Sequence, residues 1–460
     1  MKKKIFIVFG AFVAILVALP IVGNGVVQKQ IKERIELVQN YGIKTSKITK
    51  DSSYLVTTQH FEFLLEDTEK FIKYLKQYSD KQMPSYMNAL MDGVVVGMDV
   101  KYSNIPMSDD IVVDIYPLEL PKNVILELKK EDLPFYTYFD KFLKSKGILY
   151  RINYDLLRDE FDGYLKDIDE NYKFKNGVDA HIVIKSAFFN GRGSLMAPRR
   201  FKTDIKQFSF IANKGIENIK IQLNKLTTSS NFDSKNTYLT GMTLAKMDFI
   251  VSENMQNYEF NIKNAKFNAS SISLDKTAEV SSKSSFGLLE IRSKVVDMDI
   301  KDLNLDIGIS SIDKKSFEEF EKFLSLAKTD NSYMMQKMLN DSFINMISKG
   351  IDIQIADFSV KNILLDSPKK DYKGYTLTSE INIHKDKDLA SKVTFSPLLA
   401  LANLDMKTDI KFAKPLFDKM INSNKAFYNL KSFANIDGDK VLFDILFSKG
   451  NLSINGKILN

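Results

Sequence analysis

One uncharged stretch near the start of the chain constrains its architecture most. Lys2, Lys3 and Lys4 precede residues 5–27, which carry no charge and are rich in Ile, Val, Phe, Leu and Ala. At 1.5 Å rise per residue, about 20 such residues cross the roughly 30 Å hydrocarbon core of a bilayer. Residues 1–28 therefore predict a transmembrane anchor, whose large apolar side chains are Ile5, Phe6, Val8, Phe12, Ile15, Leu16, Leu19, Ile21 and Val22.

A cleaved secretory signal is the competing interpretation of this stretch. A cleavable signal has a shorter apolar core that ends in a small-x-small site, whereas this run continues through Leu19 and Pro20 to Val27 without one. The chain contains no cysteine, which excludes processing as a lipoprotein. We therefore expect a retained anchor. The leading lysines predict a single-pass protein of the bacterial inner membrane, with its N-terminus cytoplasmic and the bulk of the chain periplasmic.

The composition of the whole chain is that of a folded protein with packed cores. Its 460 residues are 44% hydrophobic and 11% aromatic, which is enough for more than one domain. The net charge of +7 is small and scattered, so a nucleic-acid partner is not expected. Without cysteine there are no disulfides, thiolate nucleophiles or Cys-type zinc sites. The sequence predicts no cofactor.

Residues 29–175 mix helical and extended patterns and are predicted to form an N-terminal α/β region. Apolar residues at helical spacing over 27–38 predict an amphipathic helix, which either packs on the following domain or lines a dimer seam. The oligomeric state stays open. We expect extended segments and helices to alternate after it, with extended segments at 43–63, 94–100 and 111–116 and helices at 67–78 and within 131–172.

Residues 176–312 place apolar side chains at every second position, with Lys, Asn, Asp and Ser between them. This alternation is typical of antiparallel strands with one apolar and one solvated face. It predicts an antiparallel β-meander with strands at 181–184, 208–212, 219–226, 247–251, 258–267, 288–291 and 295–309. An open groove and a filled sandwich show the same alternation, so the pattern leaves both open.

A helix pair is predicted at residues 313–350. Asp313 is a suitable N-cap for the first helix, and the second helix, at 332–348, is rich in methionine. Methionine at helical spacing either fills gaps in a core or lines a soft binding groove, and the core is the better interpretation. The helices are expected to end at Gly350.

Residues 351–460 are predicted to form a C-terminal β region. The uncharged segment 393–404 is too short to span a membrane and predicts a buried helix, and residues 441–456 predict a terminal hairpin. The fold class is therefore α+β. It consists of one N-terminal transmembrane helix, a mainly antiparallel β body that is a broad meander, sandwich or groove, and several amphipathic helices.

The sequence contains no recognisable catalytic or metal-binding motif. His60, His181 and His384 each stand alone in an extended stretch, so no pair has metal-ligand spacing. Asp386 and Asp388 follow His384, but the lysines between them favour a solvated turn over a metal site. There is also no Gly-x-Ser-x-Gly elbow. We predict neither catalytic nor metal-binding residues.

One basic cluster stands out from the scattered charge. It consists of Arg192, Arg199, Arg200 and Lys202, around Pro198. Arginines bind phosphate oxygens well, so the cluster could contact anionic headgroups or a glycan phosphate. An ordinary solvated loop is the alternative and the better interpretation.

The order of these elements resembles the YdgA-like family of bacterial inner-membrane-anchored proteins of unassigned function. The likeness rests on the anchor running into residues 26–31, on residues 303–310 leading into the helix at 317–323, and on the closing hairpin at 438–456. Family members often carry a Gly-Trp-type segment and a His-Gly-Pro-type turn where this chain has 51–55 and 103–106, so it resembles a divergent member. The resemblance implies no catalytic residues.

The sequence thus predicts a noncatalytic, membrane-anchored cell-envelope protein. Its strands either form a scaffold for other envelope proteins or hold an apolar, lipid-like ligand. The alternative is a hydrolase of envelope polymers, and the abundance of Asp, Glu and Ser is the only feature of the sequence that supports it.

Overall fold

The protein was examined as a computed structural model, which describes residues 39–53, 56–75, 91–103, 110–155, 157–194, 197–234, 236–253, 256–327, 332–365, 368–395, 401–423 and 428–459. The predicted anchor at 1–28, with all of its apolar side chains, and the helix predicted at 27–38 lie outside these residues. No helix within the described ranges has the length and hydropathy needed to cross a membrane. The chain divides into two compact units, Met1–Ser230 and Asn231–Asn460.

The first unit is built on an antiparallel sheet. Each strand from β1 to β6 pairs with the next, β6 and β7 pair end to end with β8, and β9 and β10 follow. The strands are β1 (Ile43–Ser52), β2 (Val56–Leu65), β3 (Val95–Ser103), β4 (Asp110–Glu119), β5 (Tyr150–Asp155), β6 (Glu160–Leu165), β7 (Ile168–Lys173), β8 (Asp179–Ser194), β9 (Ala197–Lys214) and β10 (Glu217–Ser234).

Three helices accompany this sheet in the described part of the unit: α1 (Thr68–Leu75), α2 (Lys122–Glu131) and α3 (Leu133–Lys144). Asp132 caps α3 by accepting a hydrogen bond from the Phe135 amide at 3.0 Å. The apolar stripe of α3, including Phe135 and Leu143, packs with sheet residues such as Val113 in one buried cluster. The first unit therefore has a filled core.

The helical pattern predicted for 131–172 is right for α3 but wrong for the residues after it. Phe161 and Leu165, which have helical spacing, lie on strand β6. The position between them on the same face is Gly163, where an added Cβ would stand 2.4 Å from the Phe189 ring. A ring from another strand fills this position, so the sequence alternation that marks a strand is hidden.

The second unit is a longer antiparallel sheet. Each strand from β11 to β17 pairs with the next, β17 pairs with β19, and β18 and β20 both pair with β19, with β21 following β20. The strands are β11 (Thr237–Glu253), β12 (Gln256–Ser273), β13 (Thr277–Arg292), β14 (Asp297–Asp313), β15 (Ile351–Leu365), β16 (Lys370–Ile383), β17 (Leu404–Ala413), β18 (Asn435–Asp437), β19 (Lys440–Ser448), β20 (Asn451–Ile454) and β21 (Lys457–Leu459). The predicted α+β class and antiparallel β body are confirmed.

Among its described residues, the second unit has four α-helices: α4 (Lys314–Ala327), α5 (Tyr333–Ser348), α6 (Leu389–Phe395) and α7 (Lys414–Ser423). The predicted N-cap Asp313 accepts a hydrogen bond from the Ser316 amide at 3.0 Å. Helices α4 and α5 pack on the ends of β13 to β15 through a cluster that includes Ala278, Ile312 and Met346. Helix α7 packs on β17 and β19.

Two predictions for these helices are wrong in part. Met346 of the methionine-rich helix is buried, but Met334 is 72% exposed, because only the half of α5 near the sheet packs against it. Residues 396–400 of the buried helix predicted at 393–404 lie outside the described residues; the described ones form the end of α6 and a short 3-10 turn at Leu401–Asn403, and Phe395 is 87% exposed. An uncharged run alone does not specify which of its side chains are buried in a hydrophobic core.

A line of breaks in the cross-strand pairing crosses the long strands of the second unit. Cross-strand pairing skips one residue in each of β11 to β16, namely Ala245, Asn264, Gly287, Asp302, Lys361 and Gly374. Asn264 and Asp302 lie in the left-handed region, with φ of +54° and +51°. In each pair of neighbouring strands one residue is skipped on both sides, so the pairing register is unchanged, while the apolar series of each strand moves by one position at the skipped residue.

The same break occurs in β8 of the first unit at Ser186, where φ is +53°. There Ile184 and Ala187, on either side of the break, both belong to the buried core. Apolar residues therefore stay on one face even though their sequence spacing changes from two to three. In β12, this shift takes the apolar series from Phe260 and Ile262 to Ala265 and Phe267.

Candidate functional site

A broad apolar surface covers one face of strands β11 to β14, here named the apolar face. The pairing register places its members opposite one another from strand to strand. None of them carries a charge. They are Met242, Met247, Phe249, Val251, Tyr258, Phe260, Ile262, Phe267, Phe286, Leu289, Ile291, Met298, Ile300, Leu303, Leu305 and Ile307.

All of these side chains are exposed or half-buried. Phe249 is 37% and Tyr258 46% exposed, whereas Val113 in the core of the first unit is fully buried. Four aromatic or methionine side chains on β11 and β12 alone present on the order of 300 Å² to solvent, since such side chains have about 150–250 Å² each. Patches of this size are uncommon on soluble monomers and mark interaction surfaces.

Small residues lie between the large ones on the apolar face. Ala265 and Ser284 are 5% and 9% exposed, so they form a floor that larger side chains flank. The buried hydroxyl of Ser271 donates to the Asn236 carbonyl at 3.0 Å and is therefore satisfied within the protein. The floor thus combines the Ala265 methyl group with the hydroxyls of Ser284 and Ser271, and the Ser271 hydroxyl needs no polar ligand because its hydrogen bond is made within the protein.

The opposite face of the same strands is charged and cross-linked by ion pairs. Lys369 lies 2.8 Å from Asp299, Lys283 lies 2.9 Å from Asp306, and Arg292 also contacts Asp299. Burial alone would raise the pKa of the Asp299 carboxyl, but hydrogen bonds from Lys369 and Arg292 hold it below its ordinary value. The sheet of the second unit is therefore amphipathic, with all of its charge on one side of β12 to β14.

A second candidate is a polar cluster on β2 to β4 of the first unit, here named the His60 cluster. His60 Nδ1 lies 2.7 Å from Asp99, and His60 Nε2 lies 3.3 Å from Glu62. The Tyr116 hydroxyl donates to Asp99 at 3.0 Å, and Lys146 Nζ donates to the same carboxylate at 2.5 Å. Lys146 also stands 4.2 Å above the Tyr116 ring.

The register explains how these side chains meet. His60 and Asp99 are directly opposite on β2 and β3, while Tyr116 is opposite Gly97. Because Gly97 has no side chain, the Tyr116 ring lies across it, and an added Cβ would stand 2.4 Å from the ring. Burial and the nearby Asp99 carboxylate raise the pKa of the Tyr116 hydroxyl well above its ordinary value.

The His60 cluster is a closed network rather than a catalytic arrangement. Both ring nitrogens of His60 lie within hydrogen-bond distance of a carboxylate, and within the described ranges His60 bonds no serine or threonine hydroxyl. The hydroxyl that contacts this His-Asp pair is that of Tyr116, 3.2 Å from His60 Nδ1, so among the described residues no serine or threonine stands in the position of a triad nucleophile. One sequence feature pointed to this cluster: His60 and Glu62 are two positions apart on one strand and therefore lie on the same face. Asp99, Tyr116 and Lys146 could be found only from the register.

The remaining histidines form separate ion pairs. His181 pairs with Asp169 at 2.8 Å and His384 with Asp405 at 2.7 Å. Asp386 pairs with Lys392 instead of approaching His384. In the described part of the chain, no group of three His, Asp or Glu side chains is placed to hold a metal ion.

The four residues of the predicted basic cluster lie on and beside the β8–β9 hairpin. Arg199 is 3.5 Å from Asp159, and Lys202 is 2.8 Å from Asp204. Arg192 and Arg200 are directly opposite each other on the two strands and are both exposed.

Comparisons of the chain with protein-family models, with curated proteins and with solved structures found no match.

Proposed function

We propose that this chain is a noncatalytic, membrane-anchored envelope protein that binds lipid acyl chains on its apolar face. The observation that carries the proposal is the exposure of large, uncharged side chains across four adjacent strands. Phe249, Tyr258 and Phe267 are each more than a third exposed. Burying such a surface against hydrocarbon is favourable by about 25 cal/mol per Å².

The dimensions of the apolar face fit an acyl chain. Strand β12 has 18 residues. At about 3.4 Å per residue it extends for roughly 60 Å. The acyl chains of one leaflet span about half of the 30 Å hydrocarbon core. Because the face carries no charge over β12 to β14 and has a floor of small residues, it can hold a chain along the strands without desolvating an ion.

Residues 1–28 support the membrane location of this activity. Their uncharged run and leading lysines favour a single-pass anchor in a bacterial inner membrane, with the two units on the periplasmic side. We place the chain near the YdgA-like proteins on the resemblance of its element order. A scaffold for envelope proteins is the second candidate, since the apolar face would equally suit a protein partner.

Lipidomic mass spectrometry of the purified full-length protein tests the proposal. The wild-type chain is expected to retain diacyl lipids above the level of a mock purification. The variant Phe249→Glu with Phe267→Glu places two charges on the apolar face, at positions 37% and 36% exposed. We expect it to retain less than a fifth as much lipid, because an acyl chain cannot solvate a carboxylate.

The matched control is Leu239→Glu with Ile272→Glu. These residues lie on β11 and β12, are 53% and 42% exposed, and point to the opposite face. The control should retain lipid at the wild-type level. Equal loss in both variants, or no lipid above the mock level in the wild type, would rule out acyl-chain binding on this face. Recovery of a stoichiometric protein in place of lipid would support the scaffold.

A further inference from the structure

Two arginines face each other across the β8–β9 hairpin, and neither forms an ion pair within the described residues. Arg192 and Arg200 are directly opposite in the pairing register, and both are exposed. Directly opposed residues in an antiparallel pair have Cβ atoms about 4.5–5.5 Å apart, and like charges at that distance destabilise the sheet. The solubility that surface charges provide therefore does not by itself explain why two arginines stand directly opposite each other.

The carboxylates near this pair are otherwise engaged or unpaired. Asp159 contacts Arg199 at 3.5 Å and accepts a hydrogen bond from the Tyr154 hydroxyl at 2.5 Å. Asp204 pairs with Lys202 at 2.8 Å. Glu160 is opposite Arg192 on β6, but it forms no ion pair with it in the described part of the chain.

A bulge brings a third arginine beside the pair. The register of β8 and β9 shifts between Arg192 and Gly193, so that Gly193 pairs with Pro198 and Arg199 becomes the extra residue. Gly193 has φ of +96°. A Cβ there would be 3.6 Å from Arg199 Nε, so the Arg199 side chain passes over the glycine.

We propose that Arg192, Arg200 and Arg199 form a binding site for a phosphate group. A guanidinium presents its N–H donors in a planar fork that matches two phosphate oxygens. Two forks on opposed strands can therefore share one phosphate, whose charge removes the repulsion between them. The phosphate belongs either to a lipid headgroup or to a soluble phosphoester. The site does not depend on acyl-chain binding by the apolar face.

Isothermal titration of the full-length protein in detergent, at constant ionic strength, tests this site. The probes are inorganic phosphate, glycerol 3-phosphate and dihexanoyl phosphatidic acid below its micellar concentration. We expect saturable binding of at least one probe, weakened at least tenfold in Arg192→Gln and in Arg200→Gln. Arg158→Gln is the matched control, because Arg158 is an exposed neighbour that pairs with Asp155 at 3.7 Å, and it should bind as the wild type does.

The probes distinguish the source of the phosphate. Tenfold tighter binding of phosphatidic acid than of glycerol 3-phosphate, preserved in Phe249→Glu with Phe267→Glu, identifies a lipid headgroup. Equal binding of the two identifies a soluble phosphoester. If the apolar face did not bind acyl chains, the titration with inorganic phosphate would be unchanged. Each of the two proposals can therefore be refuted without refuting the other.

Thermal unfolding without ligand supplies a second readout. Relief of like-charge repulsion should leave the Tm of Arg200→Gln equal to or above that of the wild type. A lower Tm would show that the arginines have a structural role and would overturn the proposal. So would the absence of binding by all three probes, or an equal loss of binding in Arg158→Gln.

Discussion

Tyr116 lies across the polar face of β3 because Gly97 leaves the space for its ring. From there its hydroxyl donates to Asp99 at 3.0 Å, and Lys146 stacks on its face at 4.2 Å. The same hydroxyl lies 3.2 Å from His60 Nδ1, so a single absent Cβ permits three contacts of Tyr116 in the His60 cluster. These contacts join β2, β3 and β4 to the residue that follows α3, so we expect the cluster to stabilise this part of the first unit.

Gly97→Ala should therefore destabilise the protein by about 1–3 kcal/mol, the usual cost of overpacking. The new Cβ would stand 2.4 Å from the Tyr116 ring and displace it. Urea unfolding of the full-length protein followed by tyrosine fluorescence measures the effect. Gly308→Ala is the control, because nothing lies within 4 Å of its added Cβ. This variant should gain about 0.4–1 kcal/mol from lower unfolded-state entropy. Equal effects of the two substitutions would contradict the packing argument.

Asp99 also predicts a pH dependence of stability. Burial raises the pKa of its carboxyl, but hydrogen bonds from Lys146, His60 and Tyr116 outweigh burial and hold it below the ordinary value of 3.8. The ionised form is therefore favoured in the folded state. Its contribution to stability is complete above the unfolded pKa and is lost as pH falls through the lower folded pKa.

Urea midpoints from pH 6 to pH 2 test this dependence against Asp99→Asn. The variant should be less stable than the wild type at pH 6, because an amide cannot replace the charge that Lys146 pairs with. The difference should shrink below pH 4 as Asp99 becomes protonated. A difference that stays constant down to pH 2 would show that the carboxylate charge is not the cause.

At the scale of elements, the line of breaks across β11 to β16 decides which side chains share a face. Asn264 adopts a left-handed conformation in the middle of a strand, where most side chains are strained. Asparagine tolerates this region better than β-branched residues. The break keeps Ile262 and Ala265 on one face, so the apolar face depends on it for continuity.

Asn264→Val should destabilise the protein by about 1–2 kcal/mol, since the left-handed region is unfavourable for residues with a branched Cβ. Asn264→Gly should change the stability by only a few tenths of a kcal/mol, because glycine adopts this region freely. Thermal unfolding by circular dichroism compares them. Asn268→Val on the same exposed side of β12 is the control, and it should be neutral or stabilising because valine favours strands. If Asn264→Val is as stable as this control, the left-handed conformation is not required.

For the whole molecule, we expect residues 1–28 to set the location, while the two units supply the surfaces. A retained anchor would keep the chain at the bilayer, where lipids would be available to the apolar face at high local concentration. The proposed activity and the predicted location are therefore consistent with each other.

Replacing residues 1–28 with a cleavable secretory signal should release the chain from the membrane. After cell fractionation and an alkaline wash, the wild-type chain should remain in the membrane pellet and the replaced chain should appear in the periplasmic fraction. N-terminal sequencing provides the control. A wild-type chain that is soluble and lacks its first thirty or so residues would show that the segment is a cleaved signal.

The sequence alone determined the features that depend on short-range periodicity. Alternation at 258–267 predicted β12, and helical spacing with the Asp313 cap predicted α4. The anchor predicted from the uncharged run stays a prediction. Such patterns are local, because a strand repeats every two residues and a helix every 3.6. The strands proved longer than predicted, since their charged and small residues pair across the sheet as well as the apolar ones do.

Only the tertiary structure decided which faces are covered. Core residues such as Val113 and surface residues such as Phe249 have the same alternation in sequence, yet one is fully buried and the other is 37% exposed. The difference lies in whether a helix packs on the strand, which no local pattern encodes. The same holds for Gly97 with Tyr116 and for Arg192 with Arg200. Their meeting depends on cross-strand register, which joins residues distant in the chain.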